Sequence, residues 1–156
     1  MIQIDIPGRK NLVMENIVFD YNGTLAVDGN LPEDVKEALI ELAKRLNVYI
    51  ITADTYGNVR SQCSELSVKV QTFPKGNATV YKREFVEKLG AENTVAVGNG
   101  LNDIEMFKAA ELSIAIIGEE GCSTEALINS HIVVKDIKDV FSMILKVDRI
   151  RATLRD

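Results

Sequence analysis

The sequence predicts an α/β fold: a central parallel sheet flanked by helices, in three layers. Three observations carry this. After Asn11, short β-branched runs alternate with amphipathic stretches, the order expected of successive βα units. Several of the runs are apolar without polar interruption, which marks strands buried on both faces. The chain has 156 residues, enough for a substantial core, and shows neither linker nor internal repeat, so residues 1–156 are expected to form a single domain.

The candidate strands are 17–20, 48–52, 68–73, 94–98, 112–117 and 132–134. Between the first two lies the clearest helix. Pro32 suits its first turn and Glu33 and Asp34 suit its positive N-terminus. Val35, Leu39, Leu42, Ala43 and Leu46 form one apolar stripe for the sheet. Further helices are expected over 55–66, 79–89 with Gly90 as a stop, 103–110, 123–129 and 137–145. The first fourteen residues stand outside this alternation. There Ile2, Ile4 and Ile6 suit an edge strand and Pro7-Gly8 a turn before Leu12–Met14. The C-terminal arginines 149, 151 and 155 read as a solvated helix end.

Composition narrows the function. Hydrophobic residues make up 46% and charged residues 26%, ordinary globular usage, which excludes a disordered or low-complexity chain. A net charge of -5 opposes binding to nucleic acid phosphates, so no nucleic acid partner is expected. No apolar run approaches the roughly 20 residues that span a bilayer. The N-terminus lacks a signal-peptide pattern, and the expected location is the cytoplasm. Cys63 and Cys122 have neither CxxC nor Cys/His spacing, so both are expected to be small buried hydrophobes. His131, the only histidine, begins an apolar run and is expected to be a satisfied core or strand-edge residue.

In an open parallel sheet, ligands bind beyond the carboxyl ends of the strands. Three of these ends carry reactive groups. The first runs from Asp20 into Tyr21-Asn22-Gly23-Thr24-Leu25, the second ends in Thr52-Ala53-Asp54, and the fourth in Gly98-Asn99-Gly100-Leu101-Asn102-Asp103. A carboxylate beside a glycine-containing turn can act as nucleophile or metal ligand, because turn N–H groups hold phosphate oxygens nearby. One such acid is usually a helix cap. Three converging strand ends favour a site.

These residues resemble the haloacid dehalogenase-like (HAD) superfamily, whose first motif is Asp-x-Asp-Gly-Thr-Leu after an apolar strand. Here Asp20-Tyr21-Asn22-Gly23-Thr24-Leu25 matches except at the second acid. The second motif resembles Thr52 in Ile50-Ile51-Thr52-Ala53-Asp54. The third resembles Lys82 ahead of Gly90, and the fourth Gly98 to Asp103. Within the superfamily the chain resembles the small soluble P-type ATPase-like proteins, which look like the phosphorylation domain of a cation pump. The resemblance implies a Rossmann-like HAD fold. It implies no inserted cap domain, since only 26–31 separate the first motif from a core helix; Val27-Asp28-Gly29-Asn30 would form a small flap.

The resemblance further implies a Mg²⁺-dependent phosphohydrolase. Asp20 would attack phosphorus and carry an aspartyl phosphate, Thr52 would donate a hydrogen bond to the phosphoryl group, and Lys82 would place a charge beside it. Backbone groups of Tyr21, Asn22, Gly23 and Ala53 would help to cradle the phosphate. Asp20, the Asn22 carbonyl, Asn99 and Asp103, directly or through water, would hold Mg²⁺. Lys75 competes with Lys82, whose spacing to Gly90 fits better. Substrates would be phosphorylated small molecules or activated phosphates, and an open, capless site is compatible with a homo-oligomer.

Two acids of the pattern are amides here. Asn22 occupies the position of the acid/base Asp and can neither donate nor take up the proton, so alkyl phosphates should react slowly and activated phosphates less so. Asn99 replaces a charged metal ligand by a neutral one. The alternative is therefore a weak or inactive HAD-like module that binds phosphate, a nucleotide or a protein.

Overall fold

The computed structural model describes residues 1–74 and 76–156; Lys75, the competing lysine, lies outside them. Strands β1 (Ile2–Ile4) and β2 (Leu12–Met14) pair antiparallel as a separate hairpin. The other strands are β3 (Asn16–Asp20), β4 (Asn47–Thr52), β5 (Lys69–Thr72), β6 (Thr94–Gly98), β7 (Leu112–Ile116) and β8 (Ile132–Val134). They form one parallel sheet in the order β5-β4-β3-β6-β7-β8. The expected edge strand at Ile2–Ile4 is thus not part of the central sheet. Its buried Ile4, with Ile6, Leu12 and Met14, closes one end of the core.

The helices are α1 (Glu33–Ala43), α2 (Val59–Gln62), α3 (Ala78–Gly90), α4 (Ile104–Ala109), α5 (Thr124–Ile128), α6 (Ile137–Leu145) and α7 (Asp148–Leu154). Alternation along the strands divides the core between the two sheet faces. Ile17 and Phe19 join Val48, Ile50, Val95 and Val97 under α1 and α6, while Val18, Ile51 and Ala96 lie under α3 and α4 with Val86, Met106 and Phe107. Because both faces are covered, the strands read as apolar runs rather than alternating ones.

Two helix starts differ from expectation. Pro32 is extended (ψ 149°) and stands just before α1 instead of in its first turn. The expected 55–66 helix shrinks to α2, because Asp54 and Gly57 both have positive φ (48° and 69°) and cannot continue a right-handed helix. The Asp54 Oδ1 instead accepts from Asn58 N–H and Val59 N–H at 3.1 and 3.2 Å, which sets the late start. Among the described residues, no helix is long and apolar enough to cross a membrane.

Candidate active site

Asp20 ends β3 between β4 and β6, with its strand hydrogen-bonded on both sides. Lys82, one turn into α3, is 1% exposed. Its Nζ donates to Asp20 Oδ1 at 2.6 Å, Asp103 Oδ1 at 2.7 Å and Asn102 Oδ1 at 2.9 Å. An ammonium has three protons, so all are matched. This satisfaction is what permits a lysine to be buried.

Asp103, fully buried, turns its other oxygen to the loop after β6. Oδ2 accepts from Asn99 N–H and Gly100 N–H, each at 2.9 Å. The carboxylate is packed so tightly over Gly98 that any side chain there would collide with it. One residue thereby fixes both the lysine and the loop that carries Asn99.

On the other side of Asp20, the Thr24 Oγ1 lies 3.1 Å from Asp20 Oδ2 and 3.2 Å from Asn99 Oδ1. The Asn99 Nδ2 donates to Gly121 O at 3.0 Å, which orients the amide. Gly23 (φ +78°) passes so close that a Cβ would stand 2.5 Å from Asn99 Nδ2. The turn folds on the Tyr21 carbonyl, which accepts from Thr24, Leu25 and Ala26 N–H. The Gly23 N–H is committed to Ala26 O at 2.9 Å, so it is not available to a phosphate as the sequence reading expected. Asn22 is partly exposed, but its Oδ1 is buried without a partner among the described residues.

Thr52 ends β4 beside Asp20 and is 3% exposed. Its Oγ1 accepts from Asp54 N–H at 3.0 Å, which leaves its own proton to donate. Ala53 follows, half-buried. Tyr21 is buried, and its hydroxyl lies 3.5 Å from Gly29 O. The same carbonyl accepts from Asn58 Nδ2 at 3.2 Å, which ties the flap to the loop after β4. In the flap, Val27 and Asn30 exchange both backbone bonds around Asp28 (φ 50°) and Gly29 (φ 76°), a tight primed turn.

Burial pushes the Asp20 carboxyl up from its ordinary range; Lys82 pulls it back and Asp103 adds to the rise. For Lys82, burial alone would favour the neutral amine, yet the two carboxylates outweigh it and hold the ammonium protonated. Burial also raises the Tyr21 phenol, to about 12.

Asp20, Thr52, Lys82, Asn99 and Asp103 therefore gather at the carboxyl ends of β3, β4 and β6, with Asn22 in the adjoining turn. Sequence reasoning did not single out Thr24, which links Asp20 to Asn99, or Asn102, the third acceptor of Lys82. Both lie inside the motifs at 20–25 and 98–103. Cys122, expected to be buried, is half-buried, and burial together with Asp103 raises its thiol pKa.

A model of the haloacid dehalogenase-like hydrolase family matches residues 12–111, a span that holds Asp20, Asn22, Thr24, Thr52, Lys82, Asn99, Asn102 and Asp103. The chain belongs to the haloacid dehalogenase-like hydrolases. An uncharacterized protein of Methanocaldococcus jannaschii is 39% identical over 93 residues, covering 57% of this chain and all of that one. The soluble P-type ATPase-like phosphatase of the same organism is 24% identical over 139 residues; it covers 87% of this chain, which spans 51% of its length. Among solved structures, the 3-deoxy-D-manno-octulosonate 8-phosphate phosphatase of Moraxella catarrhalis, in complex with magnesium, phosphate and a KDO molecule, superposes with a TM-score of 0.71. It is 18% identical over 91% of this chain and 94% of that one, a likeness of fold.

The donors present fit a hard divalent cation. Asp20 Oδ2 and Asn99 Oδ1 face one Thr24 hydroxyl, whose single proton can serve only one of them. The oxygen left over suits an oxygen-seeking ion, and all the candidate ligands are oxygens. Among the described residues no three His, Cys, Asp or Glu side chains converge, because Asn99 is an amide and Asp103 faces Lys82 and the loop.

Proposed function

We propose that this HAD-like hydrolase is a phosphohydrolase that works through an aspartyl phosphate on Asp20 and depends on Mg²⁺. The observation that carries the reading is the buried Lys82 held between Asp20 and Asp103, a fixed positive charge beside a strand-end carboxylate. Asp20, the Asn22 carbonyl and Asn99 would hold the ion. When bound, Mg²⁺ neutralises phosphoryl charge.

The Asp20 carboxylate attacks phosphorus while the bond to the leaving oxygen breaks. The Thr52 hydroxyl and the Lys82 ammonium stabilise the phosphoryl oxygens, helped by the backbone N–H groups beside Asp20 and at Ala53. Asn22 has no proton to give, so the leaving oxygen departs as an anion or takes its proton from water. Water then attacks phosphorus, the bond to the Asp20 oxygen breaks, and inorganic phosphate leaves while the carboxylate is regenerated. Asn22 cannot activate this water either. Acyl and aryl phosphates are therefore the preferred substrates, and the phosphoenzyme is long-lived. Asp103 serves as a positioning residue, since both its oxygens hold other groups of the site.

The test follows phosphate release from acetyl phosphate and p-nitrophenyl phosphate, with and without Mg²⁺, for the native chain and Asp20→Asn. Metal-dependent release that Asp20→Asn abolishes supports the reading. No release and no covalent phosphate from either substrate overturns it, and leaves the weak or inactive binding module that the two amides favour.

A further inference from the structure

At the opposite end of the sheet, below the first residue of β7, lies a hollow of about 410 Å³. It is bounded by the β1–β2 hairpin, the α4–β7 junction, the approach to β8 and the end of α7. Its apolar walls include Ile6, Leu12 and Leu154. Its rim carries Arg9, Lys10, Lys108 and His131, against Glu111, and the Asp156 carboxylate lies nearby against Gly8. On a chain of net charge -5 this is a local excess of positive charge.

The rim charges are unequally matched. Lys108 pairs with Glu105 at 2.8 Å, and Lys10 only loosely with Glu111 at 3.9 Å. Arg9 forms no ion pair among the described residues. His131 is oriented by Ser113, a fully buried residue of β7. Ser113 N–H donates to His131 Nδ1 at 3.1 Å, Ser113 Oγ lies 2.8 Å from the same nitrogen, and His131 N–H donates to Ser113 Oγ at 3.1 Å. With Nδ1 receiving a backbone N–H, the ring proton of the neutral imidazole sits on Nε2, which has no partner among the described residues. A guanidinium without a carboxylate therefore shares a rim with a free imidazole N–H.

We propose that this hollow is a second binding site, remote from Asp20, for a small tetrahedral dianion of the phosphate and sulfate class. Arg9 supplies planar, paired donors to the oxyanion, His131 Nε2–H a directed one, and Lys10 and Lys108 mobile charge. The tie from Ser113 makes His131 the reporter of occupancy. Burial lowers its pKa, Arg9 lowers it further, and Glu111 opposes them. An anion between Arg9 and His131 screens that repulsion, so binding raises the pKa of the imidazole. By reciprocity, binding tightens as pH falls through the histidine range.

The chain has one histidine, so its ring protons give one set of resonances. The experiment titrates sodium sulfate into the protein at constant ionic strength, balanced with sodium chloride, and follows these resonances by NMR. A saturable shift with a raised His131 pKa is expected. Arg9→Gln should weaken it about tenfold, a loss of about 1.4 kcal/mol, while Asp20→Asn should leave it unchanged. Backbone amide resonances of Arg9→Gln that match those of the native chain away from the hollow, before sulfate is added, establish that the variant is folded. A non-saturable shift, one that chloride reproduces, or one that survives Arg9→Gln undiminished overturns the proposal.

Discussion

The Lys82 ammonium donates to Asp103 at 2.7 Å, and the other oxygen of the same carboxylate receives the N–H groups of Asn99 and Gly100. A buried charge pair is thus also the clasp of a loop, so a change at either partner reaches both the electrostatics and the backbone.

Lys82→Met leaves the buried Asp20 and Asp103 without their shared cation. Removing one partner of a buried ion pair typically costs ~3–5 kcal/mol. Urea denaturation at pH 7.5 should show a loss of this size. Part of it should return at pH 5, because burial raises the Asp20 carboxyl and Lys82 no longer pulls it back, so it takes up a proton there. Equal stability of the variant and the native chain at both pH values would contradict the arrangement.

On the proposed mechanism, Asn22→Asp would supply a proton donor at the turn. General acid–base catalysis is worth about 10²–10⁴ in rate. Release of phosphate from an alkyl phosphate should rise by about this factor, and release from acetyl phosphate much less, because its leaving group needs no proton. An equal gain on both substrates would place the effect elsewhere.

Asn99→Asp converts a neutral candidate ligand into a charged one. The Mg²⁺ concentration for half-maximal thermal stabilisation should fall, by about tenfold if the charge contributes about 1.4 kcal/mol. Protection of the fold by Mg²⁺ is the readout, so the prediction does not depend on turnover. A requirement that stays the same or rises would exclude Asn99 from the ion.

His131 accepts from Ser113 N–H through Nδ1, and a proton there would set donor against donor. Its pKa is lowered, so just below pH 6.5 the unfolded chain binds the proton more readily than the folded one. Stability is therefore complete above this range, falls as pH drops through it, and levels off below the folded value. The exposed ring limits the loss to under about 1 kcal/mol. Denaturation curves between pH 5 and 8 should show this step in the native chain and not in His131→Gln. The same step in both would assign it to other groups.

The sheet was legible because burial on both faces leaves an uninterrupted signal: the expected strands 94–98 and 132–134 are β6 and β8 to the residue. The expected 137–145 helix is likewise α6, whose apolar residues at helical spacing pack on the sheet. The loop before α2 was not legible. Residues 55–66 contain no proline, and only the left-handed turn at Asp54, with its carboxylate capping Asn58 and Val59, shows why the helix begins late. In the site, Asp20, Thr52 and Lys82 stand out by type and position. The joint roles of Thr24 and Asn102 depend on distances across 75 and 20 residues of chain, which no local pattern carries. The commitment of the Gly23 N–H to Ala26 is of the same kind: it belongs to how the turn closes.

Asp20 ends the strand that lies between β4 and β6 near the middle of the six-stranded sheet. Amides of such a strand exchange with solvent only when the whole molecule opens, whereas turns and loop tips open locally at far lower cost. The proposed nucleophile thus rides on a slow-opening part of the chain, while the flap, with Asp28 and Asn30 exposed, rides on a faster one. On the proposed mechanism, ion and substrate would come and go through fluctuations of that flap without unseating the carboxylate that awaits them.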